Sequence, residues 1–246
     1  SICYVLALAL WWLSATIILG KAKGEIGTIS RPWLKVVGVL VCGILTILVG
    51  RLYSANWLVP EITIGSLQLS EVLNQVLIYS PFLFYFLITR EPVSSAFLPK
   101  ERWLSRLTVG LSIAILTMSL FVWLANSNNF FDVYRNVFHL KNTHHFVQVF
   151  LEDFAIAILL SRLSIAMRAH YLNFAILFVS LLFAFGHLPS NLESGVPLVD
   201  AITNLLKDSV LVFLVCFTIL RFKDLLWFFP IHFVMDMMQF YSGVHP

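Results

Sequence analysis

Charge is what this sequence has least of. Among 246 residues only 16 are Lys or Arg and 13 are Asp or Glu, with a net charge of +3. A water-soluble fold of that length needs a much larger charged surface. The few charges are spread over loops, so no basic patch able to grip nucleic acid is visible. Cysteine is scarce as well. Cys3, Cys42 and Cys216 each lie inside an apolar run without paired spacing, which reads as small buried hydrophobes and argues against disulfides or thiolate metal ligands. Also missing are Gly-x-Ser-x-Gly, Gly-x-Gly-Asp and His-Glu-x-x-His, the short signatures of serine, aspartyl and zinc hydrolases. No internal repeat is evident, which weakens a transporter built from duplicated halves. The opening run SICYVLALALWWLSATIILG has no basic n-region; it reads as a helix long enough to span, with no cleavable targeting signal.

What is present is hydrocarbon. Hydrophobic residues make up 59% and aromatics 15%, including 22 Phe, and the mean hydropathy is +0.89. The expected fold class is all-α, a single polytopic membrane domain over 1–246. Eight apolar windows of near-spanning length predict helices at about 2–20, 34–50, 69–89, 104–125, 146–167, 171–188, 205–220 and 225–241. The segments between them, such as KAKGEIGTISRP and NSNNFFDVYRNVFHLKNTHH, carry loop chemistry. Residues 52–68 read as an interfacial loop, and LPSNLESGVPLVD as a place where a short re-entrant piece could hide. Trp33, Trp57, Trp103 and Trp227 fall near the predicted interfaces.

Loop charge gives an orientation. Lys21, Lys23, Arg31 and Lys35 surround the first connection, and Arg90, Lys100, Arg102 and Arg106 the third. Arg168, then Arg221 and Lys223, follow the fifth and seventh helices. The alternate connections carry Arg51, then Arg135 and Lys141, then Lys207. The positive-inside rule puts the first set in the cytoplasm and both ends of the chain outside.

Against this apolar background stand Glu152 and Asp153 in FLEDFAIAILL, His187 in LLFAFGHLPSN, and His232 and Asp236 in FPIHFVMDMMQF. A carboxylate at bilayer centre costs about 2.5–3.5 kcal/mol, so three cost on the order of 8–10 kcal/mol, and a chain that keeps them has a use for them. Alternating helix direction brings all five to the middle or outer part of the same half of the bilayer, whichever way up the protein sits. His232 and Asp236, four apart, share a helix face, as do Phe183 and His187. Glu152 and Asp153 are about 100° apart on their helix, so both can border one site without pointing identically. His187 precedes Leu-Pro and reads as a helix-end residue. Arg162, about 15 Å along the helix from Glu152, reads as snorkelling to the inner interface.

In order, spacing and helix placement these residues resemble the CPBP family, the Abi or CAAX-protease group of intramembrane glutamate endopeptidases. That family carries a Glu-Glu-x-x-x-Arg motif, a Phe-x-x-x-His motif and a terminal His-x-x-x-Asn or Asp-like motif. Here Glu152-Asp153, Phe183-x-x-x-His187 and His232-x-x-x-Asp236 match them within about residues 146–241, and eight helices fit the family too. The resemblance implies a hydrolase of a membrane-associated peptide or protein in a bacterial-type inner or plasma membrane, with no metal and no cofactor. Glu152 would activate water with help from His187, while His232 and the residue at 236 would stabilise the oxyanion. Two positions depart from the pattern: the motif arginine falls on Ala157, and Asp236 stands where an amide is the better donor. Those departures leave open a catalytically degenerate member serving as a membrane scaffold or partner subunit. His139, His144 and His145 with His187 and His232 leave open a metal site, and the acid–imidazole pattern a proton-linked carrier.

Overall fold

The computed structural model describes residues 2–20, 30–124, 130–167, 171–193 and 195–241, the side chains at 189, 190, 193 and 239–241 excepted. Lys21, Lys23 and Arg168, counted above for orientation, lie outside the described residues. Long apolar runs with few interior breakers become nine helices among those described. They are α1 (Ile2–Ser14, continued by a π-helical turn Ala15–Leu19), α2 (Pro32–Ser54), α3 (Leu69–Thr89), α4 (Trp103–Leu124), α5 (Phe130–Val137), α6 (Thr143–Met167), α7 (Leu172–Glu193), α8 (Leu198–Phe222) and α9 (Phe228–Tyr241). Pro32 opens α2 at a position where a missing N–H costs nothing, and Lys223, at φ 54°, closes α8 in the left-handed cap conformation. Four helices, Ile2–Leu19, Pro32–Ser54, Leu69–Thr89 and Trp103–Leu124, are long and apolar enough to cross a membrane. Leu172–Leu188 and Phe228–Met238 are shorter apolar stretches. The protein is a helical, membrane-embedded one.

Three connections differ from their sequence reading. Within 52–68 a two-residue antiparallel hairpin forms, β1 (Thr63–Ile64) on β2 (Leu67–Gln68), and buried Asn74 of α3 brackets the backbone of Val59 by accepting from its N–H at 3.0 Å. The stretch before α6 is not simply loop. FFDVYRNV buries Val133 and Val137 on one face, and the Tyr134 hydroxyl reaches the Ile115 carbonyl of α4 at 3.2 Å. Eight residues interrupted by Asp132, Arg135 and Asn136 are too few for a hydropathy window to register, but i,i+4 apolar spacing is enough to dock one short helix. No re-entrant piece appears among the described residues of 188–200. Instead α7 runs through position 189 to Glu193, and α8 starts at Leu198 behind Pro197.

Trp227 is also not interfacial. It is 0% exposed and stacks on Trp11 of α1, ring centroids 4.8 Å apart and 8° from parallel. Trp33, Trp57 and Trp103 are exposed, as an interfacial belt requires. What drew Trp227 inward is Gly110. A Cβ at that position would lie 2.5 Å from the Trp227 carbonyl oxygen and 2.8 Å from its Cα, so α4 and the start of α9 touch backbone to backbone. Gly110→Ala is expected to push these elements apart and to cost about 1–3 kcal/mol, the range for an overpacked core. Thermal unfolding in detergent would show it, and an unchanged midpoint would rule out this close approach.

The same end of the bundle holds a buried ion pair. Arg106 Nη1 donates to Asp224 Oδ2 at 2.7 Å, with side-chain exposures of 2% and 0%. Its Nη2 also donates to the Gly20 carbonyl at 3.2 Å. One side chain thereby joins the end of α1, the start of α4 and the α8–α9 turn.

Candidate functional site

The third turn of α6 carries two neighbouring acids with different surroundings. Asp153 is 1% exposed, and its Oδ1 accepts from His232 Nδ1 of α9 at 2.9 Å. Its Oδ2 makes no hydrogen bond among the described residues. One turn further along α9, Asp236 Oδ2 lies 3.5 Å from His232 Nε2. The imidazole is therefore held between two carboxylates. Its plane is supported by Phe228, whose ring stacks on it at 5.2 Å and 27°.

Glu152 is half-buried and looks the other way, toward α3. The Tyr79 hydroxyl donates to its Oε2 at 3.4 Å, a long contact for an O–H···O pair. Glu152, Asp153, His232 and Asp236 are near enough to act on one another electrostatically, and the Tyr4 hydroxyl of α1 faces Asp236 within the same group. Phe150 and Phe154, one on each side of the acids along α6, pack on Phe229 and Phe86 at 5.3 Å each. The acids thus sit in an aromatic wall that fixes the α6 face.

His187 of α7 completes the set more loosely. It is exposed, its ring meets Phe183 edge-on at 4.8 Å, and it interacts electrostatically with Asp208 of α8 as well as with Asp236 and His232. It does not end its helix, as Leu-Pro led us to expect, because α7 continues past it. All five residues singled out from the sequence therefore belong to one neighbourhood, with His187 on its rim. Tyr79, Tyr4 and Asp208 were missed. A tyrosine in an apolar helix carries no anomaly to detect, whereas Asp208 inside LLKDSVLVF did carry one.

Ala157, at the motif arginine's position, is fully buried in the α6 core. Arg162 corrects the snorkelling expectation. It is 0% exposed, pairs with Glu91 just beyond α3, and donates to Ser161 Oγ at 2.8 Å. Lys35 of α2 meets the other oxygen of Glu91 at 2.5 Å. A counter-ion offered by the α3–α4 connection removes the reason to seek water, and a guanidinium can use both edges of such a site. Arg162 therefore ties α6 to α3 away from the acids.

Of the upstream histidines, His145 is near enough to Asp236 to interact with it electrostatically. His139 Nδ1 accepts from the Lys141 N–H at 3.1 Å, and His144 and His145 lie with ring centroids 4.0 Å apart at the start of α6. Among the described residues no group of three or more His, Cys, Asp or Glu is arranged to hold a metal ion. Two clefts lie apart from the acids: a polar one of about 490 Å³ bordered by Tyr53, Glu61, Glu71 and Asn74, and an apolar one of about 340 Å³ bordered by Leu111, Phe146, Phe229 and Phe233. The arrangement can take up a proton on Glu152, hold an imidazole rigidly at His232, and offer hydroxyl donors beside both. No protein-family model, curated protein or solved structure matches the chain.

Proposed function

We propose that the chain is a multi-pass protein of eight crossings in a bacterial-type inner or plasma membrane. We further propose that it is a metal-independent endopeptidase of the CPBP type, cleaving a membrane-associated peptide or protein. The observation that carries this reading is the meeting of Glu152 and Asp153 on α6 with His232 and Asp236 on α9. Four helices supply the length for crossings directly. The others count because α6 and α8 have 25 residues each and α7 has 22, where about 20 are needed. With 14 residues α9 is the short member, about 21 Å long.

In this reading Glu152 takes a proton from water while the water oxygen bonds to the scissile carbonyl carbon. The carbonyl π pair moves onto its oxygen, and hydrogen-bond donors receive that charge in a water-poor site. Collapse restores the carbonyl, breaks the C–N bond and delivers the proton from Glu152 to the departing nitrogen. His187, on the rim and within reach of Asp208, orients the water. Asp153 and Asp236 fix His232.

One specific observation favours a second reading. A histidine facing a carboxylate at each ring nitrogen also suits a scaffold or partner subunit in which the clamp only joins α6 to α9. New peptide N-termini in membranes of cells expressing wild type, Glu152→Ala or His187→Ala, quantified by mass spectrometry at equal protein level, separate the two. Proteolysis through Glu152 requires termini present with wild type and absent from both variants. Identical profiles in all three, with loss of a co-purifying protein in the variants, leave only the scaffold.

A further inference from the structure

The site has many acceptors and few uncommitted donors. Glu152, Asp153 and Asp236 bring six carboxylate oxygens between them, and ionised carboxylates only accept. His232 Nδ1 is committed to Asp153 at 2.9 Å, and Nε2 faces Asp236 at 3.5 Å. Turning this imidazole toward a third acceptor would break its charge-assisted bond to Asp153, a carboxylate 1% exposed, where such a loss is expensive. The Tyr4 hydroxyl faces Asp236. Among the described residues one donor stands beside the general base without being tightly held: the Tyr79 hydroxyl, 3.4 Å from Glu152 Oε2. Such pairs ordinarily close to about 2.7–2.8 Å.

From this donor count we infer that Tyr79 gives the hydrogen bond that receives the oxyanion, and that His232 positions Asp153 and Asp236 instead of stabilising the intermediate. The inference rests on the proteolytic reading above. Its geometry is local. A water activated by Glu152 attacks a carbonyl lying next to that carboxyl, so the carbonyl oxygen passes within reach of a hydroxyl already touching Glu152. As negative charge gathers on that oxygen, it becomes a better acceptor than a carboxyl that has just taken a proton, and the O–H rotor turns to it with little movement of the ring. No co-reactant beyond water is needed, and the hydroxyl keeps its proton throughout. The tyrosine supplies the donor that Asp236 cannot be while ionised. It is carried by α3, outside the stretch of about residues 146–241 that carries the resemblance.

The test uses full-length protein reconstituted in phosphatidylethanolamine/phosphatidylglycerol vesicles. The probe is a pool of single-span peptides with Leu/Ala-rich cores of varied sequence, each carrying a fluorophore and a quencher at opposite ends. Wild type, Tyr79→Phe and Glu152→Gln are compared for kcat and KM. Tyr79→Phe keeps the ring and removes only the donor, so kcat is expected to fall about 10²-fold, as when one oxyanion donor is deleted, with KM nearly unchanged. A structural role would instead move the amount of folded protein or KM. Should Tyr79→Phe accumulate poorly, 3-fluorotyrosine at position 79 retains the hydroxyl and makes it more acidic. A kcat that changes with phenol acidity supports donation, and an unchanged kcat overturns it. Tyr79→Phe turning over like wild type while Glu152→Gln is inactive overturns the tyrosine role alone. Cleavage by Glu152→Gln at the wild-type rate removes Glu152 as the base and this role with it, and no cleavage of the pool by wild type removes the proteolytic reading as well.

Discussion

Arg106→Met is expected to lower the stability of the bundle by about 3–5 kcal/mol, the cost of breaking a buried ion pair by deleting one partner. Asp224, fully buried, would keep the Leu226 N–H at 2.9 Å but lose its guanidinium. The carbonyls of Gly20 and Glu101 would lose the donor that gathers them. The double variant Arg106→Met/Asp224→Leu should cost less than either single change, because it leaves no unpaired charge. Acid should relieve part of the penalty in the single variant. Burial, opposed by the attraction of Arg106, carries the Asp224 carboxyl up to about 6, above its value in an unfolded chain. A raised carboxyl binds its proton more tightly when folded, so its contribution is full below about pH 4 and declines as pH rises through 6. Without Arg106 the carboxyl rises further, and the penalty at neutral pH grows. The gap in unfolding temperature between wild type and Arg106→Met should therefore narrow from pH 8 to pH 5. A constant gap, or a double variant worse than both singles, would show that this pair is not holding the α1, α4 and α8–α9 junction together.

That junction also marks where the sequence stops being readable. Hydropathy finds helices because each apolar run exceeds the length any turn could tolerate. The boundaries at 69–89 coincide with α3, and the start at 104 differs from that of α4 by one residue. Hydropathy has no access to partners. Arg106 looked like a loop charge and Arg162 like a snorkelling one, since the sequence does not tell that Asp224 and Glu91 lie across from them. Trp227 looked interfacial because Trp is amphipathic, and its placement followed from a glycine 117 positions earlier in the chain. The candidate site was legible for the opposite reason. Glu152, Asp153, His232 and Asp236 are costly wherever they point, so their identity alone marks them, and alternating helix direction put them in one half of the bundle. Tyr79 is half apolar and cheap to embed, so nothing in its own neighbourhood distinguished it from the other aromatics.

Glu152→Gln and Asp153→Leu should fail in opposite ways, although the two residues are adjacent. Glu152 is half-buried, and its hydrogen bond comes from a tyrosine that would accept an amide partner equally well. Its loss is expected to lower kcat by about 10²–10⁴-fold, the usual share of a general base, with little change in unfolding temperature. Asp153 is 1% exposed and holds His232 from the far side of the ring. Leucine there leaves Nδ1 buried without its acceptor, at a cost of about 1–3 kcal/mol, and turnover falls because His232 and Asp236 lose their setting. Asp153→Asn keeps an acceptor oxygen of the same reach and should recover most of the stability. Measuring turnover of the quenched single-span peptides and thermal unfolding on the same preparations separates the roles. Full activity in Glu152→Gln together with a dead but stable Asp153→Asn would exchange the two assignments. The base would then be the residue facing His232, not the one facing Tyr79.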